Sequence, residues 1–416
     1  MKFTTPALGI GLTIAAVPAI AQYNTPAPSQ QQMPAPSQDA PESKGPKPSQ
    51  GALKALNALQ TAVDANDVAN IPARVAAAQA VAKTKEDRYF IAVFQRQAAL
   101  KAKDNVALAA AVEGIVSSGL VDSTKMAGLY MDLGIQQFNA KQLDLSAASM
   151  QRAVSITPND PQALELLAQI SAARGQKAEA SSAFQRAIQA RLASGQKPTE
   201  DIYRRAVQSA YDAQLPSAVD VSRQWITAYP SADSWRNSIA IYRNMTHPDV
   251  EGSLDLLRLL QAAGALSAAA DYNLFATAAA DQGNYNEAQA VLDAGIAAKI
   301  VDPASPLFKD TTVALKAKPK ATAADLAEAT KAATSGMALL RIGDRYYGMG
   351  NFPKAVELYR QSMSKPGVDP NIANLHIGMA LTRTGDKPGA TAAFKAVTGP
   401  RADIAKYWLL YVQSRA

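Results

Sequence analysis

Residues 127–160, AGLYMDLGIQQFNAKQLDLSAASMQRAVSITPND, and residues 161–194, PQALELLAQISAARGQKAEASSAFQRAIQARLAS, decide the fold. Aligned, they repeat one pattern at a 34-residue step: Leu133-Gly134 becomes Leu167-Ala168, Tyr130 becomes Leu164, Met150 becomes Phe184 and Ala153 becomes Ala187. Within each half the apolar residues recur three and four apart, the spacing that places them on one face of a helix. Pro158-Asn159-Asp160-Pro161 stops one unit and opens the next, and Gly175 marks the turn inside the second. Glycine there supplies the left-handed backbone of a tight helix exit. One amphipathic hairpin cannot bury such a face alone, whereas a stack of hairpins does. These segments therefore predict a run of antiparallel helix pairs.

Working outward toward the C-terminus, the pattern continues with varying clarity. Residues 199–230 predict another hairpin, with Ile202, Ala206, Leu215, Ala218 and Trp225 near the repeat positions. A poorer unit follows from Trp235, in which Leu254 to Leu260 reads as an apolar helix. Residues 269–300 return to register through Tyr272, Phe275, Ala276, Gly283, Tyr285, Ala288 and Leu292, closing a solenoid segment over 127–300. Residues 301–335 predict an irregular helical connection carrying a basic loop, Lys316 to Lys320. Two clear units, 336–369 and 371–399, precede PRADIAKYWLLYVQSRA, whose apolar run predicts a helix capping the end of the stack over 336–416. Toward the N-terminus, residues 51–126 predict degenerate hairpins, with Leu53, Leu56 and Leu59 on one face and Tyr89, Phe90, Val93 and Phe94 on another.

The first 21 residues have the layout of an export signal: Lys2, an apolar stretch from Ala7 to Val17, and Ala19-Ile20-Ala21 before the expected cut. The apolar stretch is short for a membrane span. Residues 22–50 are rich in Pro, Gln and Ser and predict a disordered tether. The expected destination is the periplasm of a bacterium, or the medium. The chain of 416 residues is long enough for a large core. Its absence of cysteine excludes disulfides, thiolate metal sites and cysteine nucleophiles. A formal charge of +7, spread along the chain, does not mark a nucleic-acid binder, though it permits weak contact with anionic surfaces.

The pattern resembles the tetratricopeptide repeat family, whose unit is 34 residues of helix–turn–helix. The closest match is 336–369: Leu339, Ile342, Gly343 and Tyr346 on the first helix, Gly350 and Phe352 at the turn, Ala355, Tyr359 and Ser362 on the second. The family usually has alanine where Ser362 stands and proline where Gly367 stands. The next unit offers Ile377, Gly378, Leu381, Gly385, Ala390, Phe394 and Val397 after a 35-residue step. A small residue at Gly134, Ala168, Gly343 or Gly378 permits a close crossing, and Met150, Phe184, Tyr359 or Phe394 fills the gap between pairs. The resemblance implies an all-α solenoid, a right-handed superhelix of helix pairs with a C-terminal capping helix. It also implies a binding module, since the family commonly assembles complexes.

No catalytic constellation emerges. The two histidines, His247 and His376, lie far apart, with no HExxH motif, no paired histidines and no cysteine to complete a zinc cluster. His376 is expected to be solvated or in a groove, and His247 in a turn. The glycines lack the P-loop spacing, and no paired carboxylates stand out. The chain is accordingly read as no enzyme, with no cofactor and no metal. The basic loop is expected to be a solvated connection.

In the resembled family, the first helices of successive units line a concave groove. Carried over, those positions are Met337, Leu340, Asp344 and Tyr347 in one unit and Ile372, Leu375 and Met379 in the next. They suit capture of an extended peptide or a helix, unless the terminal helix or tight superhelical closure buries them. Met131, Ile135 and Phe138, with Glu165 and Gln169, form a weaker second candidate. The leading expectation is an exported scaffold holding another envelope protein or peptide. The alternatives are a polysaccharide-binding or secretion-linked component, which requires exposed aromatic rings along the groove, and an enzyme with an unrecognised site there.

Overall fold

The computed structural model describes residues 45–415, so the expected export signal and most of the tether lie outside the described residues. All regular structure among the described residues is helical. The chain forms two compact units that divide between Leu215 and Pro216.

The first unit contains α1 (Gln50–Asp64), α2 (Ile71–Val81), α3 (Lys85–Ala102), α4 (Asn105–Ser117), α5 (Ser123–Asn139), α6 (Leu143–Ile156), α7 (Pro161–Ala173), α8 (Lys177–Ala193) and α9 (Glu200–Asp212). Successive helices pack as pairs, α1 with α2, α3 with α4, α5 with α6 and α7 with α8, and α9 packs on α8. Local chemistry sets the starts. Asp160 accepts from the N–H groups of Gln162 and Ala163 at the head of α7, where Pro161 lacks only a donor the first turn would leave unused. Thr84 and Asp87 form a reciprocal capping box at α3. Asp87 also accepts from the backbone N–H and the hydroxyl of Ser49, at 2.7 and 2.9 Å. Burial pushes this carboxyl up, but the N–H groups of Ser49, Thr84 and Lys83 outweigh it and hold the group below the usual carboxylate range. Ser49, near the end of the stretch read as a tether, is thus fastened to α3, and Gln50 already opens α1.

The second unit contains α10 (Ser217–Ala228), α11 (Ala232–Thr246), α12 (Val250–Ala262), α13 (Ala269–Asp281), α14 (Tyr285–Ala297), α15 (Pro306–Lys316), α16 (Ala323–Ala332), α17 (Gly336–Gly348), α18 (Phe352–Ser362), α19 (Pro370–Thr384), α20 (Lys387–Lys395) and α21 (Ala402–Ser414), with a 3-10 turn at Gly399–Arg401. The hairpin expected over 199–230 does not survive as one element: α9 belongs to the first unit, while α10 pairs with α11 in the second. Further pairs are α13 with α14, α17 with α18 and α19 with α20. α14 meets α17 directly, so the irregular stretch is inserted between two neighbouring pairs, with α15 beside α13 and α14, and α16 beside α17.

The close crossings follow the repeat positions. A Cβ added at Gly343 would lie 2.5 Å from the Tyr359 ring, and one at Gly378 would lie 2.5 Å from the Phe394 ring. Neither side chain has room to retreat, since both rings are fully buried.

The terminal helix does more than cap the last pair. α21 packs on α20, α19, α12 and α10 together, so the unit closes on itself. Trp408 stacks on Phe394, with ring centroids 6.0 Å apart. Tyr407 meets Tyr242 edge-on and lies 3.2 Å from the Ser222 hydroxyl. Tyr411 donates to the carbonyl of Ala262 at 2.7 Å. Burying a side chain as large as Trp408 or Tyr407 contributes on the order of 2–3 kcal/mol, and both are fully enclosed.

Candidate interaction groove and a buried charge cluster

The groove positions carried over from the resemblance lie on α17 and α19, but they are not an open face. Leu340, Leu375 and Met379 are fully buried, Asp344 and Tyr347 are buried, and only Met337 and Ile372 are half-buried against the same core. These positions are covered by the unit's own helices. α12 turns its side chains toward α17 and α19, and α21 seals the stack beside it. An open concave face is therefore corrected to a closed interior at these positions.

That interior holds charge. Arg258 on α12 donates through Nε and Nη2 to the two carboxylate oxygens of Glu287 on α14, both at 2.8 Å, a bidentate fork. Its Nη1 reaches Asp255 one turn back at 3.2 Å, and its guanidinium lies 4.9 Å from the centre of the Tyr347 ring. His376 on α19 lies between two carboxylates, with Nδ1 2.9 Å from Asp344 and Nε2 3.2 Å from Asp255. These are close ion-pair contacts rather than aligned hydrogen bonds, and Asp255 Oδ2 has no hydrogen-bond partner. Tyr359 on α18 donates to Asp344 at 2.8 Å and presents its ring edge-on to His376.

The electrostatics follow from burial and neighbours. Burial by itself would push the His376 imidazole down; the Asp344 and Asp255 carboxylates outweigh it and raise it to about 10. Burial would push Asp344 up, but His376 and Arg258, with the Tyr359 hydroxyl, hold it below its ordinary value. Burial next to Asp344 raises Tyr359, which stays a donor. The expectation of a solvated or groove histidine at position 376 is thus overturned: the side chain is 1% exposed. A buried imidazole needs charged partners to stay charged, and the closure of the unit supplies them.

Asp255 and Arg258 were hidden in Leu254–Leu260, LDLLRLL, which reads as an apolar helix by its leucines. The signal was present: two opposite charges three residues apart inside a leucine run must be buried and paired if the run is buried.

The other candidates resolve more simply. Met131, Ile135 and Glu165 are buried, Glu165 pairing with Arg191, and Phe138 and Gln169 are half-buried. In the basic loop, Lys320 donates to the carbonyl of Leu315 and Lys318 lies over the Tyr285 ring, so two of its charges serve local contacts. His247 is exposed in a left-handed turn at the end of α11. All three tryptophans are buried, against the exposed rings a glycan-binding groove needs. Among the described residues no group of three His, Asp or Glu is placed to hold a metal ion, and no helix is long and apolar enough to cross a membrane.

No family model and no curated protein matches the chain. Solved structures similar to it include a tetratricopeptide repeat protein from Parabacteroides merdae, 11% identical with a TM-score of 0.30 over 71% of this chain and 99% of that one. Pseudomonas aeruginosa PilF is 12% identical with a TM-score of 0.26 over 64% and 100%. Naa15/Naa10 bound to HypK-THB is 13% identical with a TM-score of 0.37 over 88% of this chain and 65% of that one. The tetratricopeptide-like, all-α repeat architecture rests on the helix pairing itself rather than on likenesses at this level.

Proposed function

We propose that the chain is an exported, non-catalytic interaction scaffold that holds another envelope protein, or a peptide segment of one, on the outer faces and edges of its helix pairs. The observation that carries this reading is the filled interior of the second unit. Its charged and aromatic groups are buried against one another and out of reach of another chain, so contact with a partner falls to surface outside that interior. Support comes from the first unit, where Val106 on α4 and Leu145 on α6 are 76% and 53% exposed. They are separated by the same 39-residue step as the ion pair between Glu113 and Arg152, which joins the same two helices. Exposed aliphatics on two helices that a cross-helix ion pair joins are the side chains a partner would cover first, and they are the candidate contact residues. Export is supported by the leader-like first 21 residues.

The test compares capture from an envelope fraction by the full chain and by a Val106→Glu, Leu145→Glu variant with unchanged helicity. A partner retained by the first and lost by the second is the expected result. An identical set on both, or none on either, removes this surface. N-terminal sequencing of the chain from an envelope fraction is expected to begin at Gln22; a chain beginning at Met1 refutes cleavage.

A further inference from the structure

We propose that the cluster inside the second unit is a polar lock: His376, lodged between Asp255 and Asp344, ties α12, α17 and α19 into one closed arrangement. The three helices come from the early, middle and late parts of the unit, so a single side chain joins segments separated by more than a hundred residues of chain.

The apolar core around the lock is dominated by leucine, alanine, the β-branched valine and isoleucine, and aromatic rings. Such side chains exchange contacts with one another at little cost, and a core made only of them tolerates neighbouring arrangements of similar energy. Charge does not. Three buried carboxylates, Asp255, Glu287 and Asp344, face the guanidinium of Arg258 and the imidazole of His376. An opened or slipped stack would leave carboxylates buried without a cation, or a cation without carboxylates, and either is strongly disfavoured. The groups facing His376 or its carboxylate partners are few: Glu251, Asp255 and Arg258 on α12, Glu287 on α14, Asp344 and Tyr347 on α17, Tyr359 on α18, and Arg401 at the 3-10 turn. Arg258 forks onto Glu287 and reaches Asp255 through Nη1, whereas His376 is the cation in contact with both Asp255 and Asp344. The lock stands independently of any partner of the chain.

Three measurements on the full chain test it. In a His247→Asn background one imidazole remains, and its carbon-bound proton resonances are expected to hold the charged-form shift from about pH 6 to about pH 9. A ring that titrates at the ordinary histidine value in the folded chain overturns the lock. In urea, His376→Gln is expected to raise the unfolding equilibrium constant more than about tenfold, and adding Asp255→Asn to recover most of that loss. Losses that simply add overturn it, because a histidine serving only as packing has no reason to couple to that carboxylate. Finally, His376→Gln is expected to speed amide exchange in α12, α17 and α19 together; faster exchange confined to α19 overturns it.

Discussion

Arg401 donates to both carboxylate oxygens of Asp249, at 2.7 and 2.9 Å, across 152 residues of chain. Its Nη2 also reaches Glu251 at 3.0 Å. The arginine is nearly buried while Asp249 remains largely exposed, so solvent screens part of this pairing. Arg401→Ala is expected to cost about 1–2 kcal/mol in thermal or urea unfolding of the second unit. Arg401→Lys is expected to recover less than half, since a lysine cannot make the fork. Full recovery by lysine would show that charge alone matters there.

The charge on His376 gives a pH dependence with a definite sign. The folded value of about 10 lies above the ordinary histidine value of 6.5. The stabilisation is therefore complete below about pH 6.5 and is lost as pH rises through about 10. The second unit is expected to lose on the order of a few kcal/mol of stability over this window, measured by urea unfolding at several pH values. The same series on His376→Gln is expected to be nearly flat up to about pH 9, above which the buried Tyr347, Tyr359 and Tyr407, raised by burial, bring a loss of their own in both proteins.

Lys141 and Gly175 occupy the same turn in consecutive repeats, with φ of 60° and 76°. The left-handed region disfavours a side chain that carries a Cβ and suits glycine. Lys141→Gly is expected to stabilise the first unit by about 0.5–1 kcal/mol, and Gly175→Ala to destabilise it by about 1 kcal/mol. Thermal melts of the two variants check both signs.

Gly378 crosses under the Phe394 ring. Gly378→Ala is expected to cost about 1–3 kcal/mol through overpacking. Combining it with Phe394→Leu, which clears the space the new methyl needs, is expected to cost less than the sum of the two single changes. A strictly additive result would mean the backbone moves aside instead.

How legible this was in the sequence depended on range. The helix pairs, the glycine under each large ring, and the Asp160-Pro161 start are local or nearest-neighbour features, and a 34-residue step exposes them. The closed interior is different. Whether α12 meets α19 depends on small rotations accumulated over several helix pairs, and no residue of LDLLRLL or of the Asn374–Met379 stretch encodes that sum. Groove positions borrowed from an open superhelix therefore landed in a core. The fastening of Ser49 by Asp87 escaped for the same reason: a proline-rich segment reads as tether until the acceptor opposite it is placed. The division at Pro216 also went unread, because Ala218 and Trp225 keep repeat spacing across it.

All three indoles of the chain, Trp225, Trp235 and Trp408, belong to the second unit. Intrinsic tryptophan fluorescence is therefore blind to residues 45–215 and follows only the closure of 216–415. Far-ultraviolet dichroism weighs helices from both units. Recording the two signals in one melt separates the halves of this protein with no label and no truncation, and non-coincident transitions would give each unit its own stability.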